Sequence, residues 1–363
     1  MGALAQDKEG QPLDLSFHSI ASSDPLKENL ALSLTGNASP VLLVGEEGAG
    51  KHYAARRLAA ALLCDRPDAG SGACGSCPSC RLMAAGAHHD LVELEPESGK
   101  TAIAVSDVRS KVAQNLQVFP QISRRRVYII SAVKAETLNE QSQNALLKPL
   151  EDHPGFVRFI LMTEDADRLL PTILSRSRKI LMGRRSDDAI RAILKEEGFE
   201  GREAELAISY ADGLPGPALA IAGDEDFRDL RARLFGLFEK LPAAGRSYCL
   251  TEGLGILKDE KNRMPQVFRI LESFLRDWLI LQKDLPNARL VNRDLAGEIK
   301  KQSGRYPQAD TGRAALLIRQ TGRALSGNAN FDHTAARLLL GLRAFLGGDE
   351  EAAGAFVLND RFM

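Results

Sequence analysis

Two sets of residues have types and spacings suited to chemistry. The first is Gly45, Gly48, Gly50 and Lys51, which fit G-x-x-x-x-G-K within VLLVGEEGAGKHYAARRLAAALL. Glycines let a chain curl until several N–H groups point inward. The following helix adds the positive end of its dipole, and the lysine neutralises outer phosphates. The next residue is His52, where a magnesium-dependent site needs a small hydroxyl. Imidazole is a poor ligand for so hard a cation, so His52 reads as an ordinary residue of a helix N-terminus. A P-loop enzyme also needs carboxylates after a neighbouring strand, to hold magnesium and orient water. The candidate strand, Arg126–Ile130, is followed by Ser131, Ala132, Val133 and Lys134, and Glu136 lies too far on to substitute. Both defects point to a loop that kept its shape and lost hydrolysis.

The second set is Cys64, Cys74, Cys77 and Cys80, spaced C-x9-C-x2-C-x2-C, with Cys249 standing alone. In a reducing compartment such a cluster favours metal over disulfides. Short C-x2-C links place neighbouring thiolates on one ion, and four protein ligands leave no open position. The spacing predicts a structural Zn2+ site, with free thiols or an iron–sulfur cluster as alternatives. The segment between Asp65 and Ser79 is rich in Gly, Ser and Pro and has little to bury, so the metal is expected to order it. His88 and His89 read as surface loop residues rather than ligands.

These groups need a scaffold, and 363 residues with 44% apolar composition supply one of two or three domains. With 47 basic and 48 acidic residues, the overall charge gives no reason to expect nucleic-acid or membrane binding. The polar start MGALAQDKEGQPLDL has no signal-peptide core, Gln6 breaks a myristoylation pattern, and no apolar run is long enough for a membrane span. A cytoplasmic protein is expected. Val41–Val44, Leu91–Leu94, Arg126–Ile130 and 156–162 read as strands. They alternate with helical patterns at 52–63, at 106–117 with Ser106 as cap, and at 139–150. Strands separated by helices imply right-handed crossovers and a parallel sheet. Beyond Gly183 the pattern turns helical: 187–197 capped by Ser186 or Asp187 and stopped by Gly198, then 203–212, the breaker-rich GLPGP at 213–217, and amphipathic stretches at 227–241, 265–283, 312–324 and 333–346. The last residues read as a loose tail.

The glycine-rich loop, the four-cysteine insert, QNALLKPLED at 143–152 and LLPTILSRSRK at 169–179 together resemble the clamp-loader branch of the AAA+ ATPases. The motif-level match covers about 41–183. The resemblance implies a parallel-sheet α/β P-loop domain over 1–183 with the four-cysteine zinc module at 64–80. It further implies a small helical lid over 184–222, an all-α collar over 223–348 and a tail over 349–363. The gamma/tau subunits of this family keep a hydroxyl after the lysine and a D-E pair after the RVYII-like strand; this chain has neither. A family marker, Ser-Arg-Cys, stands here as Ser175, Arg176 and Ser177. In the family that arginine reaches into the ATP site of an adjacent subunit, where an always-charged planar fork suits a γ-phosphate during cleavage. Thr163 falls where the family places a sensor residue. Gly216 and Pro217 fall where a second, arginine sensor is expected. Pro149 replaces a non-proline residue, with a distorted or early-ending helix expected.

The resemblance thus implies a non-catalytic subunit of the DNA polymerase III clamp loader. It would sit with delta and three gamma/tau copies in an open ring of five that loads the sliding clamp on primed DNA, with Arg176 acting in trans. Two alternatives stay open: a subunit that holds ATP or ADP without cleaving it, and an active gamma/tau-like ATPase. A zinc-finger DNA reader is weaker still, because only Arg66 and Arg81 accompany the cysteines.

Overall fold

The structure, a computed structural model, describes residues 15–17, 24–35, 39–97, 100–132, 137–285, 288–327 and 329–356. The chain divides into two compact units, Met1–Ala220 and Ile221–Met363.

The first unit is built on five parallel strands: β1 (Val41–Val44), β2 (Leu91–Leu94), β3 (Arg126–Ala132), β4 (Val157–Thr163) and β5 (Arg178–Leu181), in the order β2-β3-β4-β1-β5. The apolar runs of the three central strands, Val41–Val44 in β1, Val127–Ile130 in β3 and Phe159–Met162 in β4, follow from burial on both faces, whereas the outer strands β2 and β5 carry Glu93, Arg178 and Lys179. Leu43, Ile129, Ile160 and Ile180 face α1 (Asp24–Thr35), α2 (Lys51–Leu63) and α3 (Pro78–Ala84). Leu42, Ile130, Phe159 and Leu161 face the opposite layer. That layer begins with α4 (Val105–Asp107), which widens into a π turn at Val108–Val112 and tightens into a 3-10 turn at Ala113–Asn115. It continues in α5 (Glu140–Glu151) and α6 (Pro171–Arg176). The unit is completed by α7 (Asp187–Glu196), α8 (Gly201–Ala211) and α9 (Pro215–Ala222).

Helix starts are met by side chains at the expected Ser186 and at Asn139, which the sequence pattern places inside its helix. Asn139 caps α5 by accepting from the Ser142 N–H, and Ser186 caps α7 by accepting from Ala189. Others differ. Ser106 is no cap: the helix starts at Val105 after Ala104, which makes no side-chain cap bond. Pro149 neither ends nor shortens its helix, which runs to Glu151. A proline removes one N–H donor only, and the Asp152 N–H still reaches the Lys148 carbonyl at 2.9 Å. The breaker-rich GLPGP opens a helix as well as closing one, because proline is tolerated in the first turn of α9. α1 and β5 carried too little periodicity to be read in advance.

Asp90 fastens the chain entering β3. Its buried carboxylate accepts three backbone N–H groups, from Gln121 (2.7 Å), Ile122 (2.8 Å) and Ser123 (2.9 Å), and its carbonyl accepts from Val127. Burial pushes this carboxyl up, but the three N–H bonds outweigh it and hold it below the usual carboxylate range.

The second unit is helical among the described residues: α10 (Phe227–Lys240), α11 (Arg246–Tyr248), α12 (Leu254–Asp259), α13 (Met264–Gln282), α14 (Ala296–Arg305), α15 (Thr311–Ser326), α16 (Phe331–Gly347) and α17 (Glu350–Gly354). Trp278, Phe238 and Phe274 centre its core. The residues expected to form a loose tail are packed as far as Phe356: Asp349 caps α17, Ala353 is buried and Phe356 meets Phe345 edge-on. Residues 357–363 lie outside the described residues. No helix among the described residues is long and apolar enough to cross a membrane.

Replacing Asp90 with Asn sets an amide donor against N–H groups that need an acceptor. It should cost about 1.5–3 kcal/mol in urea unfolding. Because the folded carboxyl is depressed, its contribution is full above the unfolded value near ~3.9 and is lost as pH falls through the folded value. The variant should therefore lose less stability than the parent between pH 5 and pH 3.

Candidate functional site

The phosphate loop leaves the C-terminal end of β1 and enters α2. Its cradle is engaged by the protein itself. Lys51, buried, donates its ammonium to the carbonyls of Gly45 (2.6 Å) and Glu46 (2.8 Å). Burial lowers the Lys51 pKa, while Glu164 and Glu47 pull it up. The start of α9 lies directly on the loop: Gly216 N–H donates to the Gly48 carbonyl at 2.9 Å. A Cβ at Gly48 would fall 2.5 Å from Pro217 Cδ, and its φ of +81° also demands glycine. A Cβ at Gly45 would fall 2.5 Å from the Met182 carbonyl. Packing alone thus explains these two glycines. Arg184 ties the loop to the segment before α9, through Glu46 (2.9 Å) on one side and Asp212 on the other. Arg185, half-buried, places Nη2 near Gly50. The motif did not announce either arginine, since both follow β5 in an unpatterned stretch.

The parts expected for hydrolysis are otherwise engaged. His52 is exposed and sits 3.3 Å from Glu95. β3 ends in Ser131 and Ala132, with no carboxylate; Val133, Lys134 and Glu136 lie outside the described residues. The Thr163 hydroxyl donates to the Asp165 carbonyl and accepts from the Asp165 N–H, closing the turn after β4.

The four cysteines converge. Their sulfurs all lie within 4.8 Å of one another, with Cys64–Cys77 at 3.9 Å and Cys74–Cys80 at 4.0 Å. A tetrahedral ion with ~2.3 Å bonds to sulfur separates its ligands by about 3.8 Å, so the set fits a closed four-thiolate centre. The Arg66 and Cys74 N–H groups point at Cys64, and the Cys80 N–H at Cys77. The backbone N–H of Ser76, chief among several bonds, draws the Cys74 thiol down to about 6, whereas burial pushes Cys64 and Cys80 up. A cation would offset that penalty. The insert has more to bury than its composition suggests. Phe17 lies against Gly72 and bonds through its N–H to Ser71, and Asp68 turns the chain by accepting from Gly70 and Ser71. His88 is no surface residue: it is buried, its Nδ1 accepting from the Asp90 N–H. Its Nε2 therefore carries the proton to Ser79 Oγ at 2.7 Å, and that hydroxyl donates to the Leu63 carbonyl. His89 is exposed.

Arg176 ends α6. Its Nη2 lies 2.6 Å from Glu151 Oε1 and its Nη1 donates to the Thr172 carbonyl at 3.0 Å. It sits just before β5, whose first residue pairs with Val41 and bonds to Pro40, the residue before β1. The phosphate loop leaves the other end of β1. Arg176 and its own loop therefore occupy opposite edges of the sheet, about 10 Å or more apart by strand length alone. Gln143 sets the position of α6 by accepting from the Leu170 N–H (2.7 Å) while donating to the carbonyls of Leu138 and Arg168. Ser177 Oγ is buried with no hydrogen-bond partner among the described residues. An atom of lower polarity, such as the thiol of the resembled marker, suits this place better.

A family model described as "DNA polymerase III, delta subunit" matches residues 26–185. The chain is 41% identical over 160 residues to the DNA polymerase III subunit delta' of Pseudomonas aeruginosa, covering 43% of this chain and 48% of that relative's length. It is 30% identical over 258 residues to the subunit delta' of Escherichia coli, covering 71% of this chain and 74% of that one. Against the subunit tau of Salmonella typhimurium it is 36% identical over 186 residues, covering 50% of this chain and 28% of the relative.

Protein purified without chelators should carry one ion per chain by elemental analysis. C77S and C80S should each lose it and lower the melting temperature, and an ion-free parent would exclude the metal centre. S177C should stabilise the chain by about 1–2 kcal/mol in urea unfolding, since it relieves a buried hydroxyl of its lost hydration.

Proposed function

Since the chain belongs to the delta' subunit family of DNA polymerase III, we propose that it is the non-hydrolysing subunit of a clamp loader. It assembles with delta and gamma/tau subunits in a ring that loads the sliding clamp on primed DNA during replication. Residues 1–183 form the P-loop-type domain, 184–222 the lid and 223–348 the collar through which the ring is joined. The four cysteines hold a structural zinc ion, and the protein works in the cytoplasm.

The observation that carries this reading is the placement of Arg176 at the sheet edge opposite its own phosphate loop. A guanidinium there meets no phosphate of its own chain, whatever the loop holds, so its phosphate belongs to a neighbour. Its exposure, 39% of the side chain, leaves it open to that neighbour. The home site supports the other half of the reading: the lysine is turned onto its own loop, the magnesium hydroxyl is replaced by His52, and α9 is bonded to Gly48.

An arginine acting in trans contributes ~10³–10⁵ in rate at the site it serves. R176A should leave the melting temperature unchanged and lower ATP turnover only in the reconstituted assembly. The fall is about one third if three sites fire independently, and approaches complete loss if the cycle requires all of them. Unchanged turnover of the assembly would overturn the trans role. Turnover by the isolated chain that vanishes in K51A would overturn the non-hydrolysing one. The proximity of Arg185 and Lys51 to the loop favours a second reading, retention of ATP or ADP without cleavage. Equilibrium binding by the isolated chain, insensitive to magnesium, would support it, and no binding would exclude it.

A further inference from the structure

Glu151 is the partner that the Arg176 guanidinium keeps within this chain, and its position is unfavourable for its own helix. It is the last residue of α5, where the carbonyl end of the helix dipole repels a negative charge. Helix stability does not explain a carboxylate there; the arginine 2.6 Å away does. Both residues are carried on anchored elements. α5 is held by the Ser142 hydroxyl on the Ile103 carbonyl, and the start of α6 is held to α5 by two bonds of Gln143, to the Arg168 carbonyl and from the Leu170 N–H. The two charged ends thus meet over a fixed base rather than through two loose surface chains.

The guanidinium is restrained on two sides. Nη2 faces Glu151, and Nη1 faces the Thr172 carbonyl and, at 3.4 Å, Ser175 Oγ. Nε has no hydrogen-bond partner among the described residues. A long side chain that can sample many rotamers is thereby restrained, with Nε alone left unengaged. Pre-orientation of this kind is what converts a flexible cation into an effective electrostatic partner of a transition state.

We propose that Glu151 is a positioning residue for Arg176, orienting the guanidinium toward the phosphate of an adjacent subunit. This rests on the trans reading of Arg176. The test uses the complete assembly reconstituted with E151A, E151Q, R176A and the E151A/R176A double variant, with ATP as substrate. E151A should lower kcat by at least about half of the loss given by R176A, with KM for ATP unchanged. E151Q, which keeps an acceptor oxygen, should recover part of it. In the R176A background E151A should change nothing further, and the melting temperature of E151A should match the parent, since an exposed pair contributes little to folding. Parent-like or faster turnover of E151A beside a slowed R176A overturns the positioning role and leaves the trans role standing. An equal fractional loss in both backgrounds overturns it as a merely structural effect. Unchanged turnover of R176A removes both.

Discussion

In a parallel sheet all strands point one way, so every strand end falls on one of two edges, and a crossover must carry the chain back before the next strand can start. That constraint governs the site. β1 releases its loop at the C-terminal edge, and β5, paired Val41 to Arg178, begins at the other. The helix between β4 and β5 must descend the full depth of the sheet, so its last residue, Arg176, arrives at the far edge. No side-chain adjustment brings it to its own phosphate loop. The separation of a phosphate cradle from an arginine of the same chain is set by strand polarity, and on the proposed reading a second molecule brings the two chemistries together.

At the loop edge the same fold has become self-contained. A buried ammonium requires acceptors, and Lys51 finds them in two carbonyls of its own loop. Gly48 and Gly45 are held by contacts with Pro217 and Met182, so the motif can persist for packing reasons alone. This is why a glycine-rich signature is weaker evidence for phosphate chemistry than it looks. The loop conformation has structural uses, whereas the magnesium hydroxyl and the paired carboxylates have few, and those are the parts that are missing.

Much of this was legible in the sequence because it was local. Val41–Val44 reads as a doubly covered strand from its own residues, and C-x2-C-x2-C brings three sulfurs together by chain geometry. The Ser186 cap of α7 needs only one turn of chain. What was illegible depended on distant partners. His88 looked like loop because nothing in its neighbourhood announces Ser79 or Leu63. Phe17 gave no sign that it would brace Gly72, far along the chain. Pro149 looked like a break because helix rules count the donor it removes and not the burial that holds its neighbours. The value of Glu151 and Gln143 was hidden in the open: both lie in the stretch QNALLKPLED, but only the register of α5 against α6 turns one into a counter-charge and the other into a brace.

The two edges also differ in what they permit. In a subunit whose lid helix closes on a bound γ-phosphate, the relation of lid to sheet changes with the nucleotide, because the phosphate is one of the contacts. Here the contact is a backbone hydrogen bond from Gly216 to Gly48, reinforced by Arg184 between Glu46 and Asp212, and none of these depends on a ligand. A body joined by such contacts, on the proposed reading, holds its far edge in a constant orientation through the neighbours' nucleotide cycle. On the proposed reading that constancy gives the degenerate loop its use: an arginine that must meet a neighbour's phosphate within a fraction of an ångström is better carried by a part that does not move when the neighbour does.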